Sequence, residues 1–382
     1  MRRSRRIFFQ LMSIAIVAAV AGWGSAAASA HWRLNTVTLT TIAYNQGITF
    51  DSSSHSFFFD GVSWPTNSGL YRTNADGSLE AANFFVLPST KEGYNHTGDL
   101  SFDPVQQRVL LALECFFPNN GGNTCGTGAI GVADPVSLRF LYYVNLDTAQ
   151  IKKAMWDEIS PDGRWIWTSS GTHLLVYSAA DVNPGTAASQ RAGTTGGIVG
   201  IDLGSVLPDS GVTGAAFIQD PWTETSRLLL SLNLGTTFEV VAYTVGTAQD
   251  GSPMLLSTTP TTEIVVPKWF FANEPEGLAV TGALDPEADP LGGVLHWQIL
   301  PTLTLLTLYV NVLGYVPAAS DASAGQRTRP LRAFKAPVVR LPEICGHRCA
   351  QVGYVLRAGA VAAAHQRSPR RARTRGAALD AR

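Results

Sequence analysis

Short apolar runs, rich in aromatic and β-branched residues, alternate along the chain with clusters of Gly, Asp, Asn, Ser and Pro. Ser56-Phe57-Phe58-Phe59 precedes Asp60-Gly61, and Trp165-Ile166-Trp167-Thr168 precedes Ser169-Ser170-Gly171. The stretches Arg108 to Leu113, Leu174 to Tyr177 and Glu239 to Tyr243 follow the same habit. Runs this short, bounded by turn formers, predict strands joined by hairpins. Helical periodicity is scarce, and the best helix candidate is one short turn around Asp147 to Ala154.

A phrase recurs among these runs. Its copies are Gln46-Gly47-Ile48-Thr49-Phe50-Asp51, Gly98-Asp99-Leu100-Ser101-Phe102-Asp103, Asp157-Glu158-Ile159-Ser160-Pro161-Asp162, Thr213-Gly214-Ala215-Ala216-Phe217 and Glu276-Gly277-Leu278-Ala279-Val280. Spacings of 52, 59, 56 and 63 residues separate Thr49, Ser101, Ser160, Ala216 and Ala279. Periods of this size mark arrays of supersecondary units, each holding about four strands. The expected architecture is therefore all-β: a β-propeller of five blades, or six if a degenerate blade lies between Ser231 and Lys268. The alternating segment Thr36 to Ile42 precedes the first copy and is placed to close the ring on the last blade, beside Val294 to Ile299 and Leu305 to Val310.

Charge divides the chain into unlike parts. From His31 to Ser320 there are 11 Lys and Arg against 26 Asp and Glu, and from Asp321 to Arg382 there are 13 against 3. An acidic body with no basic stripe argues against nucleic acid. The Ala- and Arg-rich tail, 321–382, reads as disordered, with a cationic arm or a frame-altered terminus as the alternatives. Pro290 to Ser320 carries no charge, which permits a membrane span over 294–318. The alternation Val294-Leu295-His296-Trp297-Gln298-Ile299 and the presence of Pro301 favour strands instead.

The first 30 residues have a basic start, an apolar run from Leu11 to Ala21 and Ala28-Ser29-Ala30, the form of a secretory signal. Ser4-Arg5-Arg6-Ile7-Phe8-Phe9 resembles a twin-arginine signal, which implies a secreted bacterial protein that folds before export. The mature body, 31–320, is expected to be a single propeller domain and a monomer. Cys115 and Cys125 flank a turn-rich loop and are expected to form a disulfide. Cys345 and Cys349 in the tail read as a second disulfide or as free thiols.

In a propeller the innermost strands line a channel, so the leading polar residues of the copies converge on one mouth. Those residues are Gln46, Asp99, Asp157, Glu158, Glu274 and Glu276. Facing carboxylates repel unless a cation or shared protons relieve them, and Ca2+ or another divalent metal held by Glu276, Asp99 and Glu158 is one solution. The other reading sends these side chains to turns, where they cap backbone groups. Asp99, Glu158 and His96, which just precedes the second inner strand, are the candidates for acid–base work. Asn95-His96-Thr97 is a glycan acceptor only in a eukaryotic setting. The tryptophans at 165, 167, 222, 269 and 297 suit either sugar stacking or packing between sheets. No Gly-x-Ser-x-Gly elbow, His-Glu-x-x-His or phosphate loop is present.

Glu276-Gly277-Leu278 resembles the strand openings of esterase-like phytase propellers and of the gluconolactonase and regucalcin group. Ser160-Pro161-Asp162-Gly163 is similar to the turn of TolB-like blades. The lactonase resemblance implies a metal ligand at Glu276 with Asp99 or Glu158 as the acid–base carboxylate. The asparagines that such enzymes draw from other blades have no match here. The expected function is a secreted propeller that acts as a binding or scaffold module for a small ligand or a cell-envelope partner, with calcium as a stabiliser. The alternative is a metal-dependent lactonase or phosphoesterase.

Overall fold

The computed structural model describes residues 32–317 apart from 64–66, 118–121, 124, 210, 220–225, 269–271, 282–294 and 302–308. The export signal, the basic tail with Cys345 and Cys349, Trp222 and Trp269 lie outside the described residues.

Five antiparallel sheets form a ring of blades, and each copy of the phrase falls in the first strand of a different sheet. Blade 1 runs Ile48–Asp51, Ser56–Ser63, Asn67–Asn74 and Leu79–Asn83. Blade 2 runs His96–Asp103, Arg108–Glu114, Ala129–Ala133 and Phe140–Asn145. Blade 3 runs Glu158–Ile159, Trp165–Ser170, His173–Ser178 and Ile201–Ser205. Blade 4 begins Val212–Gln219, Ser226–Asn233 and Thr237–Thr247; both Thr261–Pro267 and Pro253–Leu255 pair with its third strand. Blade 5 begins Ala272–Val280, Leu295–Pro301 and Tyr309–Pro317.

The outermost strand of blade 5 comes from the other end of the chain. Trp32–Thr41 pairs antiparallel with Tyr309–Pro317, from Trp32 opposite Pro317 to Thr41 opposite Tyr309. The indole of Trp32 donates to Glu263 Oε2 at 3.0 Å, and Glu263 also pairs with Arg227. Closure thus joins the N-terminal strand to blade 5 and locks that joint to blade 4.

Why the strands alternate weakly follows from the blades' two buried faces. Along Arg108–Glu114 every residue is buried. Leu110 and Ala112 face the core between blades 2 and 3, whereas Val109, Leu111 and Leu113 face the one between blades 1 and 2. Leu228, Leu230 and Leu232 likewise face blade 3 while Leu229 faces blade 5. A fifth cluster around Tyr44, Ile48, Phe57, Ala279 and Val312 fills the gap between blades 5 and 1. Trp167 and Trp297 are fully buried in these layers, as sheet packing requires.

Two local expectations are corrected, and two alternatives that the sequence left open are decided. Asp147 to Ala154 is a turn, in which the Gln150 and Ile151 N–H groups both reach Asp147 O at 3.0 Å. The α-helix among the described residues, α1, is Pro184–Arg191, started by Asn183, whose side chain accepts the Thr186 N–H, with Pro184 in the first turn. The segment Ser231 to Lys268 supplies strands to blade 4 and not a sixth blade. Asp60-Gly61 does not end its strand: both pair across blade 1, Asp60 with Leu70 and Gly61 with Gly69. The uncharged stretch supplies the strands Leu295–Pro301 and Tyr309–Pro317, and no helix among the described residues is long and apolar enough to cross a membrane.

Candidate functional site

Aligning the copies puts Gly47, Asp99, Glu158, Gly214 and Gly277 at the second position and Ile48, Leu100, Ile159, Ala215 and Leu278 at the third. Asp99 reaches across the ring from blade 2. Its Oδ1 accepts the Ile48 N–H of blade 1 at 3.2 Å. Its Oδ2 accepts the Ala215 N–H of blade 4 at 2.9 Å and the Leu278 N–H of blade 5 at 3.5 Å. The Asp99 N–H itself donates to Met155 O, just before blade 3, at 3.0 Å. One residue therefore ties all five blades at the axis.

The glycines make room for it. A methyl group at Gly214 would stand 2.7 Å from Asp99 Oδ2, and one at Gly277 would stand 2.6 Å from Ile48 N. Both distances are closer than real contacts allow. Only 1% of Asp99 is exposed, and loss of solvent raises its pKa well above the ordinary carboxylate value despite the N–H donors.

Two neighbours repeat the device. Glu158 Oε1 accepts the Phe217 N–H at 3.0 Å, joining blades 3 and 4. Asp157 Oδ1 accepts the Ser101 hydroxyl at 2.5 Å, joining blades 3 and 2, while its Oδ2 has no hydrogen-bond partner. Burial pushes Asp157 up to about 8, and burial together with the Asp157 charge raises the half-buried Glu158 as well. Asp60, fully buried beside Gly47, has no well-formed hydrogen bond at either oxygen, although the Thr97 hydroxyl lies near. Burial pushes it up to about 7.

Beside Asp99 lies a further acidic cluster, at the end of the axis where the sequence places the mouth. His96 and Glu114 face each other across the blade 2 ladder, with Nδ1 and Oε1 3.0 Å apart. Glu276 is buried, its pKa raised well above the usual range by burial and then by the charges of Glu274 and Asp99. Glu274 is half-buried and also raised, chiefly by burial, with His96, Lys153 and Lys268 acting in the opposite direction. Neither Glu274 nor Glu276 accepts a hydrogen bond from the described residues.

A small hairpin, Phe116–Phe117 with Gly122–Asn123, stands beside the mouth. The Cys115–Cys125 disulfide closes its base, with Cα atoms 5.3 Å apart. Asn95 pins it: its amide nitrogen donates to Phe116 O and its amide oxygen accepts the Phe116 N–H, both at 2.8 Å. These two hydrogen bonds engage both the nitrogen and the oxygen of the sequon asparagine's amide. The half-exposed Phe116 ring lies 5.3 Å from His96.

The structure thus gathers Asp99, Asp157, Glu158, Glu274 and Glu276 around the axis. Gln46 turns aside, its amide donating to Asn45 O at 2.9 Å. Asp60 and Glu114 are additional members that the repeated phrase does not contain. Three phrase-ending aspartates have turn roles: Asp51, Asp103 and Asp162 each accept groups within the next few residues, and Gly163 takes φ +70° in the Ser-Pro-Asp-Gly turn. Among the described residues, no three His, Cys, Asp or Glu side chains are placed to hold a metal ion. Asp99, with both oxygens turned to backbone N–H groups, fits a staple better than a calcium ligand.

Solved structures give likeness at the level of fold. An arabinanase of Bacillus subtilis superposes with TM-score 0.43 at 11% identity, covering 74% of this chain and 96% of that one. A glutaminyl cyclase of Myxococcus xanthus gives 0.40 at 9%, covering 75% and 97%. A glucose dehydrogenase gives 0.36 at 11%, covering 74% and 99%. None of these three is a TolB-like, phytase or gluconolactonase protein. No protein-family model and no curated protein matches the chain.

Proposed function

We propose that the chain is a secreted binding module whose axial mouth takes a small cationic ligand, free or carried by a cell-envelope component. The observation that carries this reading is Glu276: a buried carboxyl at the mouth, raised by its acidic neighbours and accepting no hydrogen bond from the described residues. An ammonium or guanidinium group entering there would supply the missing donor and oppose the repulsion among Glu274, Glu276 and Glu114. The Cys115–Cys125 disulfide supports an oxidising compartment.

Titration calorimetry with putrescine and arginine amide, against glycerol as a neutral control, tests it. Saturable binding of the cations, weakened about tenfold or more by Glu276→Gln, is expected. Absence of cation binding, or equal binding by the variant, overturns it. A metal-dependent lactonase or phosphoesterase would instead need a divalent ion in the purified protein; no observation at the axis favours that reading.

A further inference from the structure

A recess of about 490 Å³ opens between the loop entering blade 3, the hairpin turn of that blade and the entry to blade 4, a size that suits a small ligand. Three of its lining residues bear on the axial cluster. The Met155 carbonyl accepts the Asp99 N–H at 3.0 Å. Val212 stands two residues before Gly214, where a methyl group would come within 2.7 Å of both Asp99 Oδ2 and the Glu276 carbonyl oxygen. Lys153 acts on the Glu274 carboxyl as an opposite charge, so its ammonium is directed to the mouth. The recess is therefore an annexe of the mouth.

Away from Lys153 the recess presents one oriented donor and one acceptor. The Ser169 oxygen accepts the indole N–H of the fully buried Trp156 at 2.8 Å, which leaves the hydroxyl proton to donate. Asp209 contributes an exposed carboxylate, an acceptor. Met155 and Val212 add apolar wall. A hydroxylated ring answers this combination, because each of its hydroxyls both donates and accepts while the ring carbons pack on apolar surface. A plain alkyl diamine uses none of it.

We infer that mouth and recess together form one site for an amino sugar, its ammonium group at Glu274 and Glu276 and its ring hydroxyls at Ser169 and Asp209. The inference rests on cation binding at the mouth, proposed above, and names the class of ligand. Lys153 stands between the two parts and competes with the sugar's ammonium for Glu274.

The test is titration calorimetry with the glucosamine disaccharide, against cellobiose, which lacks the amines, and putrescine, which lacks the hydroxyls. The glucosamine disaccharide should bind about tenfold or more tighter than either control. Glu276→Gln should weaken it and putrescine alike. Ser169→Ala should weaken the disaccharide about threefold and leave putrescine unchanged, with its melting temperature near wild type. Gly211 lines the recess, and a side chain added there meets nothing within 4 Å, so Gly211→Trp should fill the recess and cost the disaccharide about tenfold while sparing putrescine. Equal affinity for disaccharide and putrescine, or disaccharide binding untouched by both recess variants, overturns the inference and leaves cation binding at the mouth in place. Failure of putrescine itself to bind overturns the mouth reading, and this inference with it.

Discussion

The Asp99 carboxylate of blade 2 accepts the Ala215 N–H of blade 4 at 2.9 Å, across the centre of the ring. The same group meets Ile48 and Leu278, so a buried side chain replaces the direct backbone pairing that blades around an axis cannot form. Removing it strands three buried N–H donors. Asp99→Ala should cost about 3 kcal/mol or more in denaturant unfolding, and Asp99→Asn less, because the amide oxygen keeps one acceptor. A loss below about 1 kcal/mol for Asp99→Ala would contradict the staple.

The glycines around that carboxylate are required by space. Gly214→Ala would put a methyl group 2.7 Å from Asp99 Oδ2, whereas Gly235→Ala meets nothing within 4 Å. The first should lose about 2 kcal/mol or more and the second should change little, as read from paired melting curves.

Asp60 and Asp157 are raised to about 7 and about 8. Each binds its proton more tightly folded than unfolded, so its stabilising contribution is complete below the unfolded carboxylate pKa and is lost as pH rises through 7 to 8. Unfolding free energy should therefore fall by on the order of 5–7 kcal/mol between about pH 5 and about pH 9. Asp157→Asn, neutral throughout, should flatten that slope; an unchanged slope would remove Asp157 from the cause.

The Cys115–Cys125 disulfide closes a loop of sequence separation 10 next to His96 and Phe116. Cys115→Ser/Cys125→Ser should lower stability by up to about 3 kcal/mol. It should also weaken cation binding, since Phe116 at the base of the hairpin lies against His96. Equal affinity with and without the disulfide would place the ligand elsewhere.

The ring was legible in the sequence because each inner strand carries the same small and apolar positions, from Thr49 to Ala279. Its closure was legible in the alternation before Ala43, and the axial carboxylates in the unequal leading residues. Asp60 was not, because Asp60-Gly61 after three phenylalanines has the chemistry of a turn, and only pairing with Leu70 and Gly69 keeps it in the strand. Glu114 comes to the mouth through its register opposite His96, which no local pattern encodes. The helix did have a signal, Asn183-Pro184, an N-cap followed by proline, hidden in a Gly- and Ala-rich stretch with little apolar periodicity. The Asp99 staple needed the three-dimensional ring, since its partners lie 51, 116 and 179 residues away.

Proton balance on cation binding tests the mouth most directly. Burial raises the carboxyls of Glu274 and Glu276, and a cation favours their ionised form, so putrescine titrated in buffers of different ionisation enthalpy should release protons, and fewer of them as the pH is raised. Affinity should rise with pH. Binding without proton release, at an affinity independent of pH, would contradict an axial well of raised carboxyls.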